Sequence, residues 1–194
     1  MISFKDDYSE GCHPRILERL MASNFEQHEG YGDDVYSIRA KELIGNAIGN
    51  TSALITFISG GTQANLTAIA SVLRPHEAVV AAASGHISIH EAGAIEATGH
   101  KVVEVPSSDG KLTPNMIEEV LNHHSDVPHM VKPRMVYISL PTELGTLYSL
   151  AELQALSTFC KSNNLLLYLD GARLGSALSA LNGEIELKDI AGLS

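Results

Sequence analysis

Short apolar runs alternate with stretches of helical periodicity over most of the chain. The apolar runs predict strands at 53–59, 77–83, 101–105, 134–140 and 165–170. The stretches after them predict helices at 62–73, at 88–98, from Thr113-Pro114 onward and at 149–163. Strands that alternate with helices form βαβ units, so the pattern predicts an α/β fold with a mostly parallel sheet and helices on its faces.

The first fifty residues do not follow this alternation. A helix is predicted from Pro14, because proline suits the first turn, and a second helix follows the Gly/Asp-rich loop at 29–37. We therefore expect an N-terminal arm with helices over 1–50 and an α/β domain over 51–194. Residues 123–133 are the best loop candidate within that domain.

Composition narrows the functional classes. The chain has 194 residues and a net charge of −10, and no basic cluster is present, which argues against a nucleic-acid or anionic membrane partner. It has no run of 18 apolar residues and no apolar segment typical of a secretion signal. Cys12 and Cys160 are far apart and are interpreted as reduced thiols. We expect a cytoplasmic protein.

The first stretch that indicates chemistry is FISGGTQANLTA, residues 57–68. A predicted strand leads into Gly60 and Gly61, and a helix opens at once near Thr62. Glycines expose backbone N–H groups, and the helix dipole favours an anion, so this turn could hold a phosphate. An ordinary strand–helix turn capped by Thr62 explains the same residues, and both interpretations stay open.

The second stretch is SGHISIHEAGAIEATGH, residues 84–100. His86 follows a predicted strand, where a flat ring could stack on an aromatic ligand. His86 and His90 have a spacing that can bind zinc, but no third ligand is evident, so we expect no metal. For His90 and His100 a solvated surface position is the favoured interpretation.

The third stretch is LLLYLDGARLGSAL, residues 165–178. Asp170 ends an apolar strand, at the sheet edge where open α/β sheets bind ligands, and Arg173 follows closely. The two could form a structural ion pair. Alternatively, Asp170 could meet a cationic ring nitrogen while Arg173 binds a carboxylate.

Taken together, the three stretches suggest one ligand. A phosphate, a flat ring and a protonatable ring nitrogen occur together in pyridoxal 5′-phosphate, whose ring accepts electrons from a carbanion when its nitrogen stays protonated. A nucleotide-binding domain is the competing interpretation of the glycine turn. It is disfavoured because no acidic residue ends the strand predicted at 77–83.

The motifs SGGTQAN, GHISIHEAGAIEATGHKV, YISLPTELGTLYSLAEL and LDGARLGSAL resemble the L-threonine aldolase / aromatic amino acid β-eliminating lyase family of fold-type I pyridoxal-phosphate enzymes. The resemblance implies a three-layer α/β/α sandwich, the large domain of the aspartate-aminotransferase-like fold. It also implies a homodimer or homotetramer that cleaves threonine-type β-hydroxy-α-amino acids to glycine and an aldehyde. β-Elimination on the same fold is the alternative reaction.

The resemblance also assigns roles to residues. Gly61 and Thr62 would contact the cofactor phosphate, His86 would stack on the ring, and Asp170 would pair with the ring nitrogen. Arg173 would belong to the cofactor site and help hold the substrate carboxylate, and Tyr31 would lie near the active-site entrance. His86 and Asp170 are thus the expected catalytic residues.

The chain departs from the family pattern in three places. Thr142 and Glu143 stand where many members carry an Asn and a His that engages the substrate hydroxyl, and 5–7 read Lys-Asp-Asp where many have Arg-Ser-Asp. None of the seven lysines, Lys188 included, fits the Schiff-base lysine, which in the family follows a later strand. We therefore expect the N-terminal part of such an enzyme, able at most to bind the cofactor noncovalently and inactive alone. A non-catalytic remnant is the other interpretation.

Overall fold

The computed structural model describes residues 8–125 and 129–193, so the 5–7 segment lies outside the described residues. The chain divides into two compact units, one up to Ala40 and the other from Lys41 onward. In the first unit, helix α1 spans Pro14–Ser23, and the ring of His13 accepts a hydrogen bond from the backbone N–H of Arg15. Helix α2, Val35–Ala47, begins in the first unit and ends in the second. Both predicted helices are confirmed.

The second unit contains a four-stranded parallel sheet. Its strands are β1 Glu77–Ala82, β2 Lys101–Val105, β3 Lys132–Ser139 and β4 Leu166–Asp170. Their spatial order is β2-β1-β3-β4. Four of the predicted strands are thereby confirmed. The chain order reverses direction between β1 and β3, which creates the crevice where open α/β sheets bind ligands.

The prediction of a strand at 53–59 is wrong. These residues are described, and they form neither a strand nor a helix. Leu54 is almost fully exposed, and Phe57 and Ile58 are exposed in part. A strand requires a neighbouring strand to satisfy its backbone N–H and C=O groups, and the four described strands all pair elsewhere. Apolar composition alone therefore could not decide whether this segment forms a strand.

Helices connect and follow the strands. They are α3 Gly61–Val72, α4 His86–Ile89, α5 Ala94–Ala97, α6 Pro114–His124, α7 Leu150–Ser162, α8 Leu174–Ala180 and α9 Leu187–Ala191. The side chain of Thr113 caps α6, and Ser149 and Glu152 form a reciprocal cap at the start of α7. The helices expected from 62, from Thr113 and from 149 are confirmed.

Two predictions in this part of the chain need correction. The single helix expected over 88–98 is two short helices, because Ala92 and Gly93 adopt left-handed conformations, with φ of 50° and 75°. The loop expected over 123–133 is shorter, since α6 extends to His124 and β3 begins at Lys132. Residues 126–128 of that loop lie outside the described residues.

Apolar side chains pack on both faces of the sheet. One core joins Val80, Val136 and Ile138 to residues of α6 and α7, among them Ile117 and Leu153. The opposite core joins Val79, Met135 and Tyr137 to Ile69 of α3, together with Ile87 and Ile95. Because successive strand residues face opposite sides, both faces of the central strands are buried. The predicted three-layer α/β/α arrangement is confirmed.

No helix in the described part of the chain is long and apolar enough to cross a lipid bilayer.

Candidate functional site

Polar side chains gather at the carboxyl ends of three adjacent strands. His86 follows β1, Glu143 follows β3, and Asp170 is the last residue of β4. The parallel register brings Ser139 at the end of β3 directly opposite Asp170. Since β1 and β3 flank the reversal in strand order, this cluster lies at the crevice that the topology creates.

A tight turn places His86 at this edge. The backbone N–H of Gly85 donates to the carbonyl of Ala82 at 2.7 Å, which closes the turn directly after β1. A Cβ on Gly85 would lie 2.9 Å from that same carbonyl oxygen, closer than real Cβ atoms come. Glycine is therefore required here, and helix α4 can begin at His86 with the ring about two-fifths exposed.

The carboxylate of Asp170 is held by three donors. Tyr137 donates its hydroxyl to Oδ2 at 2.6 Å, and Asn65 donates its amide to the same oxygen at 3.0 Å. The backbone N–H of Ala172 donates to Oδ1 at 3.0 Å. These bonds come from β3, from α3 and from the chain after β4. The carboxylate is thus fixed in orientation by hydrogen bonds from three separate parts of the chain.

Asn65 connects Asp170 to a second carboxylate. Its Nδ2 donates to Oε1 of Glu91 at 2.5 Å as well as to Asp170, and its Oδ1 accepts from the hydroxyl of Tyr168 at 2.8 Å. Oε1 of Glu91 also lies 2.8 Å from Nδ1 of His86. A continuous hydrogen-bond chain therefore runs from Asp170 through Asn65 and Glu91 to His86.

Glu91 is an unusual member of this chain because it is buried. Its side chain is fully buried, whereas that of His86 is partly exposed. Oε2 of Glu91 is buried and has no hydrogen-bond partner among the described residues. A buried carboxylate with one unsatisfied oxygen costs free energy, so this position carries a constraint beyond packing.

Glu143 reaches the same edge from the loop after β3. Its Oε1 accepts from the hydroxyl of Ser139 at 2.7 Å and from the backbone N–H of His86 at 2.9 Å. The departure from the family pattern noted above therefore places a carboxylate directly beside His86. The neighbouring Thr142 is buried and bonds instead to the hydroxyl of Thr146 at 2.7 Å, away from this cluster.

The first turn of α3 lies at the same end of the sheet as Asp170, because Asn65 is one helical turn further along. Gly60 precedes the helix in an extended conformation, and a glycine offers no side chain to cap the first N–H groups. Gly61 and Thr62 are exposed, and a Cβ on Gly60 or Gly61 would meet nothing within 4 Å. The turn can therefore receive an anion.

Two tyrosines on neighbouring strands form the base of the cluster. Tyr137 and Tyr168 are register partners on β3 and β4, and their rings stack with centroids 5.6 Å apart. Burial, followed by the charge of Asp170, raises the pKa of Tyr168 to about 12 and that of Tyr137 well above its ordinary value of 10.0. Both hydroxyls therefore remain hydrogen-bond donors at neutral pH.

Arg173, Tyr31 and Lys188 were also considered as site residues. Arg173 is exposed and precedes α8, near Asp170 in sequence, and either of its predicted roles stays a prediction. Tyr31 is fully exposed in the first unit, with φ of 63°. Lys188 is exposed on α9 and pairs with Glu186 at 2.6 Å.

A surface position was predicted for two histidines, and only one of them has it. His90 is exposed, as expected, and its ring lies 5.5 Å from that of His86. The prediction for His100 is wrong: this residue is 5% exposed, and its Nδ1 lies 3.3 Å from the carbonyl oxygen of Glu77. His100 immediately precedes β2, which pairs with β1, so the sheet covers it.

Within 8–125 and 129–193, no three His, Cys, Asp or Glu residues are grouped to hold a metal ion.

Four residues of this cluster were not predicted from the sequence, namely Asn65, Glu91, Tyr137 and Tyr168. Each lies within a quoted motif or strand, but only the fold brings their polar atoms together. The available signals were weak: an amide in the first turns of a helix whose neighbours are apolar, and tyrosines inside otherwise apolar strands. Buried amides and hydroxyls need partners, so these residues were candidates for a polar network.

Comparisons with known proteins show which family the chain resembles. The family model described as β-eliminating lyase matches residues 6–191. A low specificity L-threonine aldolase from a Pseudomonas species is 35% identical over 91% of this chain and 51% of its own length. A solved threonine aldolase structure from Leishmania major is 52% identical, with a TM-score of 0.94, over 96% of this chain and 54% of that one.

An aminotransferase from Escherichia coli shares the fold at 17% identity, with a TM-score of 0.65 over 84% of this chain and 40% of its own. The chain spans about half the length of the curated relatives it matches.

Proposed function

The chain belongs to the β-eliminating lyase family, and from that premise we propose that it forms the cofactor-binding part of a pyridoxal-phosphate-dependent lyase. The proposed reaction is cleavage of threonine-type β-hydroxy-α-amino acids to glycine and an aldehyde. The relatives named above as threonine aldolases support this choice of substrate. The segment 51–194 would be an incomplete large domain in this proposal, preceded by an arm over 1–50.

The observation that carries the proposal is the environment of Asp170. A carboxylate that receives hydrogen bonds from Tyr137, Asn65 and the N–H of Ala172 is held rigidly at the end of a parallel strand. Such an anion suits a cationic ring nitrogen. The uncapped start of α3 suits a phosphate, and the partly exposed ring of His86 suits a flat ring. These residues fit pyridoxal phosphate.

The proposed roles follow from these positions. The ring of the bound cofactor supplies an electron sink for the carbanion formed at the substrate Cα. Asp170 would maintain the proton on the ring nitrogen, and Gly61 and Thr62 would bind the phosphate. His86 would orient the ring by stacking, and Arg173 would bind the substrate carboxylate. Tyr31 is proposed to serve the active-site entrance of a neighbouring subunit.

We propose that Glu143 acts on the substrate hydroxyl. Its Oε1 is occupied by Ser139 and the N–H of His86, and no bond to its Oε2 is found among the described residues. A carboxylate in this position, next to the ring-stacking His86, can accept a proton. This would give the site a base of a different type from the His that many family members carry there.

Two further parts of the proposal concern assembly and location. Helix α1 has a large apolar stripe, with Ile16, Leu17, Leu20 and Met21 all half exposed or more, and this supports a homodimer or homotetramer. Cys12 and Cys160 are both free thiols, as is typical of the reducing cytoplasm.

Cofactor binding is the first experiment. Pyridoxal phosphate is titrated into this chain and followed by its absorbance, with Asp170→Asn and Glu96→Gln variants alongside. Asp170→Asn should weaken binding, because the amide is no longer an anion, whereas exposed Glu96 should be silent. Equal binding by the wild type and Asp170→Asn would refute the assigned role of Asp170.

Activity is tested separately, on the complete reading frame. The sequence downstream of Ser194 is determined first, and a strand followed by a Gly/Thr-rich turn with a lysine is the expected result. The complete protein is then assayed with threonine and allo-threonine against cysteine and tyrosine. Release of glycine and an aldehyde supports the aldolase, pyruvate from cysteine or tyrosine supports β-elimination, and a stop codon after Ser194 supports the non-catalytic remnant.

A further inference from the structure

The hydrogen-bond chain beneath the site raises a question that the proposed cofactor roles do not answer. Glu91 has no part in the proposed binding of the phosphate by Gly61 and Thr62 or of the ring nitrogen by Asp170. Its side chain is nevertheless fully buried, and its Oε2 has no hydrogen-bond partner among the described residues. A core position filled by an apolar residue would avoid this cost. The contacts made by Oε1 of Glu91 must therefore compensate for the cost of burying this carboxylate.

One of the contacts of Oε1 is with His86 and the other is with Asn65. Oε1 lies 2.8 Å from Nδ1 of the ring, and the amide of Asn65 donates to the same oxygen at 2.5 Å. A carboxylate oxygen only accepts, so Nδ1 of His86 must carry the hydrogen and Nε2 must face away. One bond thus fixes both the tautomer and the plane of a ring that is otherwise partly exposed.

Asn65 fixes Glu91 in turn. It is 2% exposed, and each of its polar atoms is used: Nδ2 on Glu91 and Asp170, Oδ1 on the hydroxyl of Tyr168. One amide bridges Asp170 and Glu91, and Glu91 in turn contacts His86. The carboxylate of Asp170 and the ring of His86 are therefore held in one relative geometry.

We propose that Glu91 is a positioning residue: fixed by Asn65, it pre-orients the His86 imidazole in the Nδ1–H tautomer so that the ring is ready to stack on a bound aromatic cofactor. This inference rests on the proposed function, because it assumes that the cofactor ring is bound beside His86. Pre-orientation improves affinity by removing the entropy cost of ordering a side chain on binding.

The first test does not need the cofactor. In the free chain, two-bond ¹H–¹⁵N correlation spectra assign the His86 tautomer at a pH where the ring is neutral. The expected result is a single Nδ1–H tautomer in the wild type and in Glu91→Gln, which keeps an accepting Oε1, and a mixture in Glu91→Ala. An Nε2–H tautomer in the wild type, or an unchanged ring in Glu91→Ala, overturns the proposal.

The second test is a double-mutant cycle on the dissociation constant for pyridoxal phosphate. Glu91→Ala should weaken binding about fivefold when His86 is present, the cost of ordering one side chain, and Glu91→Gln should restore most of it. In the His86→Phe background, where the ring stacks but cannot bond to Glu91, Glu91→Ala should have no further effect. Glu96→Gln, on the exposed side of α5, is the matched control.

The outcomes are separable. A weakening by Glu91→Ala that is equal in both backgrounds means that Glu91 supports the fold generally, and this overturns the positioning role. A wild-type chain that binds no pyridoxal phosphate refutes the proposed function, and the tautomer experiment still decides whether Glu91 orients His86. Urea denaturation of each variant shows whether it is folded. If Glu91→Ala is not folded, Glu91→Met replaces it, because methionine fills a similar volume and also lacks the accepting oxygen.

Discussion

The hydroxyl of Tyr137 offers a test of how the Asp170 carboxylate is held. Tyr137 is 1% exposed and donates to Oδ2 of Asp170 at 2.6 Å. Tyr137→Phe removes this one oxygen and leaves the ring, with its stack on Tyr168, in place. Tyr168→Phe is the matched control, because it removes an equivalent hydroxyl whose acceptor, Oδ1 of Asn65, is neutral.

The magnitudes follow from the acceptors. A hydrogen bond to a charged group contributes about 1.5–3 kcal/mol to the free energy of unfolding, and a neutral one about 1 kcal/mol. Asp170 retains its bonds from Asn65 and the N–H of Ala172, so the loss should fall in the lower half of that range. We expect Tyr137→Phe to cost about 2 kcal/mol and Tyr168→Phe about 1 kcal/mol.

Urea denaturation at pH 7 measures both values. With a denaturant slope of about 2 kcal/mol per M, Tyr137→Phe should lower the midpoint by about 1 M and Tyr168→Phe by about half as much. Slopes must stay equal among the variants for midpoints to be compared. Pyridoxal phosphate binding should weaken in Tyr137→Phe, because Asp170 loses one of the groups that orient it.

Equal midpoints for the two variants would refute the reasoning. That result would mean that the charge of Asp170 does not strengthen the bond from Tyr137, and the view of a rigidly held anion at the end of β4 would then fail. A larger loss in Tyr168→Phe would indicate instead that Asn65 is the more important centre of the network.

Three further predictions concern groups outside this bond. Because the pKa of Tyr168 is raised from 10.0 to about 12, the folded state keeps a proton that the unfolded chain releases. Stability should therefore fall as the pH rises above about 10, and absorbance at high pH should show delayed ionisation of the buried tyrosines. Burial likewise raises the pKa of the Cys160 thiol to about 11, so a thiol reagent at pH 8 should label exposed Cys12 alone in the folded chain and both thiols in denaturant. Rapid native labelling of Cys160 would contradict its buried position. The hydrogen bond from Lys111, at 2.6 Å, lowers the pKa of Glu152 below its ordinary 4.5, so its contribution is present above pH 4.5 and is lost as the pH falls through the lowered value. Glu152→Gln should cost less than about 1 kcal/mol at pH 7, since the pair is partly exposed, and should flatten the acid limb of the stability curve; an unchanged acid limb would show that the pair does not form.

Local pattern was sufficient for most of the fold. Continuous apolar runs identify β1 and β3 because both faces of these strands are largely buried, and β4 because its half-buried residues pack against both cores. The cap at Thr113 and the reciprocal cap of Ser149 with Glu152 place the starts of α6 and α7, since these bonds span only three residues. The segment at 53–59 shows the limit of local pattern. Its apolar residues match the pattern of a strand, but a segment becomes a strand only when a neighbouring strand pairs with its backbone.

The sequence by itself also determined which end of the sheet carries polar groups: His86 and Asp170 follow apolar runs, and parallel strands place their carboxyl ends together. Only the tertiary structure decided how these groups are held. Asn65 and Asp170 are 105 residues apart, Tyr137 and Asp170 are 33 apart, and Asn65 and Glu91 are 26 apart. Hydrogen bonds act over about 3 Å, so no local pattern can encode such partners. The strand order and the packing of α3 on the sheet bring them within that distance.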